Sequence, residues 1–328
     1  MQERFDYLEI DGRRRRAPQA PAAAQQPVIV SSRRGRLRLA EILGSFGQAA
    51  GQFNSPGGIA VDRQRAVYIT DSYNHRVQKI TSEGEVLVFG QMGTSRGCLV
   101  NPQGIAVDGA LFVYVAEQGN HRVQKFDPEG QSVQIMGGFG STPGRFNCPT
   151  GVALDTYHNV YIADTGNSRV QCFTPNGRYR FTITGRAPGS SRGAKSPGAL
   201  RRPRGVAIDN SSCIYVADTA NDRIVKFDSS GALLAVLCGS GLQVGALDEP
   251  AGLAVDQWDC LCIVEMGNHR LQRLSATGRP LQSFTGQRTA AGKLSCPSAV
   301  AVDPNGDIWL ADTSNHRVLR LRLDQGQQ

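Results

Sequence analysis

The sequence predicts an all-β fold, a closed ring of six blades with four antiparallel strands each, and three observations predict it. The pattern acid-x-x-Asn-x-Arg occurs six times, at Asp71–Arg76, Glu117–Arg122, Asp164–Arg169, Asp218–Arg223, Glu265–Arg270 and Asp312–Arg317. Its asparagines stand 46, 47, 54, 47 and 47 residues apart, a period that belongs to propellers and other repeat arrays. The sixth copy lacks a last strand, and a segment near the start of the chain reads as that strand.

Each repeat opens with a proline and a short run of small residues, as in Pro56-Gly57-Gly58-Ile59-Ala60-Val61-Asp62 and Pro203-Arg204-Gly205-Val206-Ala207-Ile208-Asp209. Proline donates nothing to a ladder, so it stands before the strand, where no bond is lost. A second run, such as Val67-Tyr68-Ile69 or Val160-Tyr161-Ile162, is rich in the β-branched and aromatic types that fit a pleated surface. After the acid-x-x-Asn-x-Arg turn comes an alternating third run, for example Val123-Gln124-Lys125-Phe126. A fourth, such as Val86-Leu87-Val88-Phe89 or Leu281-Gln282-Ser283-Phe284, completes the blade.

The sixth repeat has its third strand at Val318-Leu319-Arg320-Leu321 and no fourth after it. Glu41-Ile42-Leu43-Gly44-Ser45-Phe46-Gly47 reads like the fourth strands of the other repeats, so the two ends of the array are expected to complete one blade and close the ring. Closure leaves no long exposed edge.

With Asn-His-Arg at residues 74–76, 120–122 and 315–317, the chain resembles the NHL-repeat proteins over roughly residues 39 to 328. The run Gly51-Gln52-Phe53-Asn54-Ser55-Pro56 is similar to the blade opening of tripartite-motif-type NHL domains. That resemblance implies a recognition domain whose partner is single-stranded RNA or a protein delivered to ubiquitin ligation by a RING domain. No RING or B-box can be drawn from these cysteines, so any ligase activity would belong to another chain or to a longer product.

The eight cysteines are scattered, and no pair has the Cys-x2-Cys spacing of a structural zinc site; they read as reduced thiols. No secretory signal and no apolar stretch long enough to span a bilayer is visible. A cytoplasmic setting is expected, with nuclear import through Arg13–Arg16 as the alternative. Residues 1–38 read as a disordered basic, Ala- and Pro-rich tail, and residues 39–328 as the propeller. The tail carries +5 of the net +8. Within the ring, residues 177–204 hold eight cations and no acid, so the rest of the ring is net acidic.

A residue needed to build a blade recurs in every blade, whereas one needed for a partner need not. By that control the turn residues Asn74, Arg76, Asn120, Arg122, Asn167, Arg169, Asn221, Arg223, Asn268, Arg270, Asn315 and Arg317 are structural, the Arg pairing with the acid across the hairpin. His75, His121, His269 and His316 also read as scaffold, although Ser168 and Asp222 replace them in two blades. Recurrent alanines such as Ala60 and Ala106 read as residues of strands crowded near the axis. Strand parity puts all six turns and the links between blades on one face, and the basic link 185–204 is the long one. Non-repeating positions around that mouth are Tyr73, Gln118, Thr150, Arg202, Arg204, Glu249 and Met266. With the basic residues Arg178, Arg180, Arg192, Lys195 and Arg201 they make up the expected partner surface, and Tyr73 and Tyr179 are the aromatics available for stacking.

The expected function is therefore recognition without chemistry, of a protein or of single-stranded RNA, with no cofactor and no metal. The alternative is a metal-dependent lyase or hydrolase in the central channel, by resemblance to six-bladed propellers such as the peptidylglycine amidating lyases. That chemistry needs ligands converging on the axis, whereas four of the five histidines lie in the turns and His158 lies at the opposite face.

Overall fold

The computed structural model describes residues 7–10, 13–16, 36–186 and 196–324. The chain separates into two units, residues 1–33 and 34–328. In the first, Tyr7–Ile10 pairs antiparallel with Arg13–Arg16. The tail expected to lack regular structure thus holds a short hairpin. Four consecutive arginines offer no alternation from which a strand can be read.

The second unit is six four-stranded antiparallel sheets, each in simple up-and-down order. The inner strands are Pro56–Val61, Pro102–Val107, Pro149–Leu154, Val206–Ile208, Pro250–Val255 and Ala299–Val302, and each packs on its neighbours around the axis. They approach closely because Gly58, Gly104, Gly151 and Gly205 stand at equivalent positions. A Cβ on any of these would run into the carbonyl oxygen of Gln103, Thr150, Arg204 or Ala251 of the next blade. The crowding expected at the alanines is thus most acute at these glycines. Second strands such as Val67–Asp71 and Val160–Asp164 are buried along their whole length. The core lies between blades: Tyr68, Val77 and Phe89 of the first pack with Leu99, Ile105, Val115 and Phe126 of the second.

The ring closes as expected, by a strand that contains the expected Glu41–Leu43 but has different bounds. Arg36–Leu43 pairs with Arg317–Asp324 to complete the sixth blade. The closing strand therefore begins inside the segment read as tail and ends at Leu43, so Gly44–Gly47 belong to the following link. Leu37 and Leu323, both buried, explain the extension, since their pairing adds apolar contact to the seam between blades five and six. Among the described residues no helix is long and apolar enough to cross a membrane.

Candidate functional site

The acid of each turn is fully buried and surrounded by donors. Asp71 accepts from Arg76 Nε at 2.7 Å, Asn74 Nδ2 at 2.8 Å, Gln78 Nε2 at 3.1 Å and the Asn54 backbone N–H at 2.6 Å. Arg76 in turn donates through Nη1 and Nη2 to the carbonyls of Gln48, Ala49 and Gln52 in the link. Glu117 with Arg122, Asp164 with Arg169 and Glu265 with Arg270 repeat the pattern. Each turn therefore fastens its own blade to the link that precedes it.

The residue between the turn Asn and Arg has a second task. His75, His121, Ser168, Asp222, His269 and His316 all have positive φ near 50–57°. Each accepts, through Nδ1 or a side-chain oxygen, the backbone N–H of a residue opening the next blade: Asn101, Cys148, Arg202, Glu249, Cys296 and Ser55, at 2.9–3.2 Å. Histidine, serine and aspartate are interchangeable here because all three present an acceptor.

At the opposite face the inner strands end in six aspartates. Asp62 Oδ1 accepts from the backbone N–H of Gln64 and Ala66, and Oδ2 from the Tyr68 hydroxyl. Asp155 does the same with its own turn and Tyr161, Asp303 uses Trp309 Nε1, and Asp256 takes Arg273 Nε at 2.6 Å. These carboxylates are turn-forming groups, each with both oxygens accepting hydrogen bonds from its own blade. Among the described residues no three His, Cys, Asp or Glu side chains converge as metal ligands. Burial pushes the thiols of Cys172, Cys238 and Cys260 up to about 11, which disfavours the nucleophilic thiolate.

On the turn face a recess of about 270 Å³ adjoins the axial channel, a space of about 100 Å³ lined by the inner strands, at Thr150 and Arg204. Six residues expected around the mouth, Gln118, Thr150, Arg202, Arg204, Glu249 and Met266, line that recess together. Thr150 and its neighbours Thr165 and Thr219 already donate their hydroxyls to the carbonyls of Arg204, Pro203 and Pro250. Gln118 accepts from Asn101 Nδ2 at 2.7 Å. Arg204 is half-buried, and its guanidinium makes a single polar contact among the described residues, Nη1 to Met266 Sδ at 3.4 Å. Desolvation holds its pKa below the usual arginine value, partly offset by Glu249 and reinforced by Arg202.

The other expected partner residues divide. Arg201 is exposed on the turn face, with Nη1 directed at the Ala220 carbonyl. Tyr73 is 61% exposed on the first turn, outside the recess. Arg178, Tyr179 and Arg180 do not join them. The third strand of blade three descends to Phe173, which pairs with Tyr179, so these three lie at the opposite end of the blade. Being close in sequence to the basic link hid the length of the intervening strand. Arg192 and Lys195 lie outside the described residues.

One feature of this face was missed. Phe46, Met92 and Phe139 occupy the same position in three consecutive links and are 66%, 72% and 72% exposed. The rings of Phe46 and Phe139 lean on His316 and His121 at 4.8 and 4.9 Å. Sequence reading placed Phe46 within the closing strand; the recurring apolar-Gly pair, Phe46-Gly47, Met92-Gly93 and Phe139-Gly140, was the available signal.

Comparison with known families places the repeat. The family described as NHL repeat matches residues 53–80, 99–126, 146–173 and 294–321. Four of the six blades carry NHL repeats. Blades four and five lie outside the matched segments but have the same turn hydrogen bonds as the other four, with Asn221 and Arg223 on Asp218 and Asn268 and Arg270 on Glu265. No curated protein matches the chain. Among solved structures, a protein of unknown function from Bacteroides thetaiotaomicron is 20% identical with a TM-score of 0.67, covering 88% of this chain and 76% of that one. A gluconolactonase from Xanthomonas campestris is 17% identical at 0.61, covering 84% and 88%. A virginiamycin B lyase from Staphylococcus aureus is 13% identical at 0.58, covering 88% and 100%. At these identities the likeness is one of fold.

Proposed function

We propose that this NHL-repeat ring is a recognition platform, not an enzyme, and that its turn face binds an acidic polypeptide partner. The observation that carries the reading is a double departure from the sixfold pattern on that face. Exposed Phe46, Met92 and Phe139 follow one arc, and the cations Arg201, Arg202 and Arg204 gather beyond it. Apolar anchors beside a charged recess are the usual composition of a protein-binding surface. Capture of partners from cells by crosslinking, with wild type and a Phe46→Ser, Met92→Ser, Phe139→Ser variant, tests it: proteins retained by wild type and lost by the variant are expected. Identical recovery by both would reject the reading.

Single-stranded RNA is the second reading, favoured by exposed Tyr73 on the same face as the arginines. It requires an affinity that falls with salt at a log–log slope of about −0.7 per phosphate contacted. It also requires that binding is lost when Arg201, Arg202 and Arg204 are reversed to Glu. The gluconolactonase and lyase among the fold neighbours keep a metal-dependent channel enzyme as the competing class. Against it stands the engagement of the axial carboxylates by their own turns. Calorimetric titration with Ca²⁺, Mg²⁺ and Zn²⁺ separates the classes, since a channel enzyme of that kind requires saturable binding.

A further inference from the structure

The recess contains an arrangement that the six blades do not share. Three threonine hydroxyls around it already donate to carbonyls, so they offer a ligand no further proton. The donors without a protein oxygen acceptor among the described residues are the Arg204 guanidinium, the Gln118 amide NH₂ and, at the rim, the Arg202 side chain. Arg204 is firmly seated: its backbone N–H donates to the Ala217 carbonyl at 3.1 Å, and its carbonyl accepts from Thr150. A half-buried guanidinium whose one protein contact is a thioether lacks an oxygen acceptor among the described residues, and a planar oxyanion would pair with its fork.

The shape of the recess selects among oxyanions. It is small, about 270 Å³, is lined by residues of blades two to five and meets the axial channel at Thr150 and Arg204, so the group suited to fill it is the end of a side chain. A carboxylate on a flexible side chain is such a group, whereas an internal phosphodiester carries a nucleoside on each side. The charge balance agrees. Two arginines stand against Glu249, a small surplus that suits one carboxylate and not a polyanion running across the face.

We propose that Arg204 and Gln118 form a seat for a single carboxylate of an acidic polypeptide, with Arg202 steering it and Glu249 acting as an internal competitor for Arg204. This rests on the reading of the turn face as a polypeptide-binding surface and names the chemical group that enters its centre.

The test is a set of NMR titrations on the full chain, following the Arg204 Nε–H signal. The probes are sodium acetate, a capped glutamate-rich octapeptide containing leucine, its glutamine counterpart, and an eight-nucleotide oligouridylate. Acetate and the glutamate peptide are expected to shift the signal saturably, and the glutamine peptide is not. Arg204→Lys, which keeps the charge but loses the fork, should weaken the glutamate peptide, and Glu249→Gln should tighten it about threefold or more, the size of one partly screened charge. If Arg204→Lys fails to fold, the wild-type titrations and Glu249→Gln still decide. Glutamate peptide binding without an acetate or Arg204 response would overturn the seat while leaving the polypeptide surface in place. A saturable acetate response with no peptide binding would overturn the polypeptide assignment. Displacement of the Arg204 signal by oligouridylate alone would transfer the recess to RNA.

Discussion

Nδ1 of His316 accepts the backbone N–H of Ser55 at 3.0 Å, joining the last blade to the first across 261 residues of sequence. The same bond type joins every other pair of neighbouring blades. His316→Ala leaves the Ser55 N–H without its protein acceptor and is expected to lower stability by about 1–2 kcal/mol. His316→Asp restores an acceptor of the kind that Asp222 supplies in blade four and should recover most of the loss. Urea titration of both variants checks this, and equal midpoints for Ala and Asp would remove the latch from the account.

Ring closure by Arg36–Leu43 sets a sharp truncation boundary. Deletion through residue 35 should leave the urea midpoint unchanged. Deletion through Leu43 removes buried Leu37 together with Leu39 and Leu43 and exposes the edge of Arg317–Asp324. At about 1.5–3 kcal/mol for each fully buried leucine, that loss is a large part of a domain's stability, so aggregation or incomplete folding is expected. Sedimentation and urea titration of the two truncations provide the comparison.

The buried thiols of Cys172 and Cys260 and the half-buried thiol of Cys238 predict alkaline sensitivity. Cys172, Cys238 and Cys260 are raised from 9.0 to about 11 in the folded ring. Between those values the unfolded chain has released protons that the folded chain still holds. The unfolding free energy should therefore fall as pH rises from about 9 toward 11, and this contribution is fully present only below 9. Replacing all three with alanine should flatten the slope over that window, which denaturant titrations at several pH values would show. Tyr68 and Tyr114, raised by burial and by Asp62 and Asp108, extend the same trend above pH 10.

Because Phe46, Met92 and Phe139 are exposed, replacing all three with serine should change stability by no more than about 0.5 kcal/mol per site. The same change should abolish partner capture. Thermal unfolding measured beside the capture experiment separates the two effects, and a large loss of stability would assign these side chains to packing.

Much of this was readable in advance, for definite reasons. A turn that needs a buried acid, an Asn and an Arg in every blade stamps its period on the sequence, and strand parity then brings Gln118, Thr150, Arg202 and Arg204 to one mouth. What stayed hidden depended on three-dimensional registers. The equivalence of His75, Ser168 and Asp222 lies in an acceptor placed by a left-handed backbone, which residue identity does not announce. Phe46 follows the apolar Ile42 and Leu43 and so looks like a strand residue, although the link has begun two residues earlier, at Gly44. Arg178 and Arg180 seem to belong with Arg204 until the intervening strand carries them to the other end of the blade.

The closing strand pair also bears on how the molecule is made. Arg36–Leu43 leaves the ribosome before every other strand of the ring, while its partner Arg317–Asp324 is translated about 280 residues later. At roughly 5–20 residues per second, the first strand waits some tens of seconds without its neighbour. Five blades can assemble locally as they emerge, but the ring is sealed by the most distant pairing in the sequence, which is the slowest kind to form. Newly made chains therefore pass through an open crescent, and that crescent is the species a chaperone or a degradation enzyme would meet.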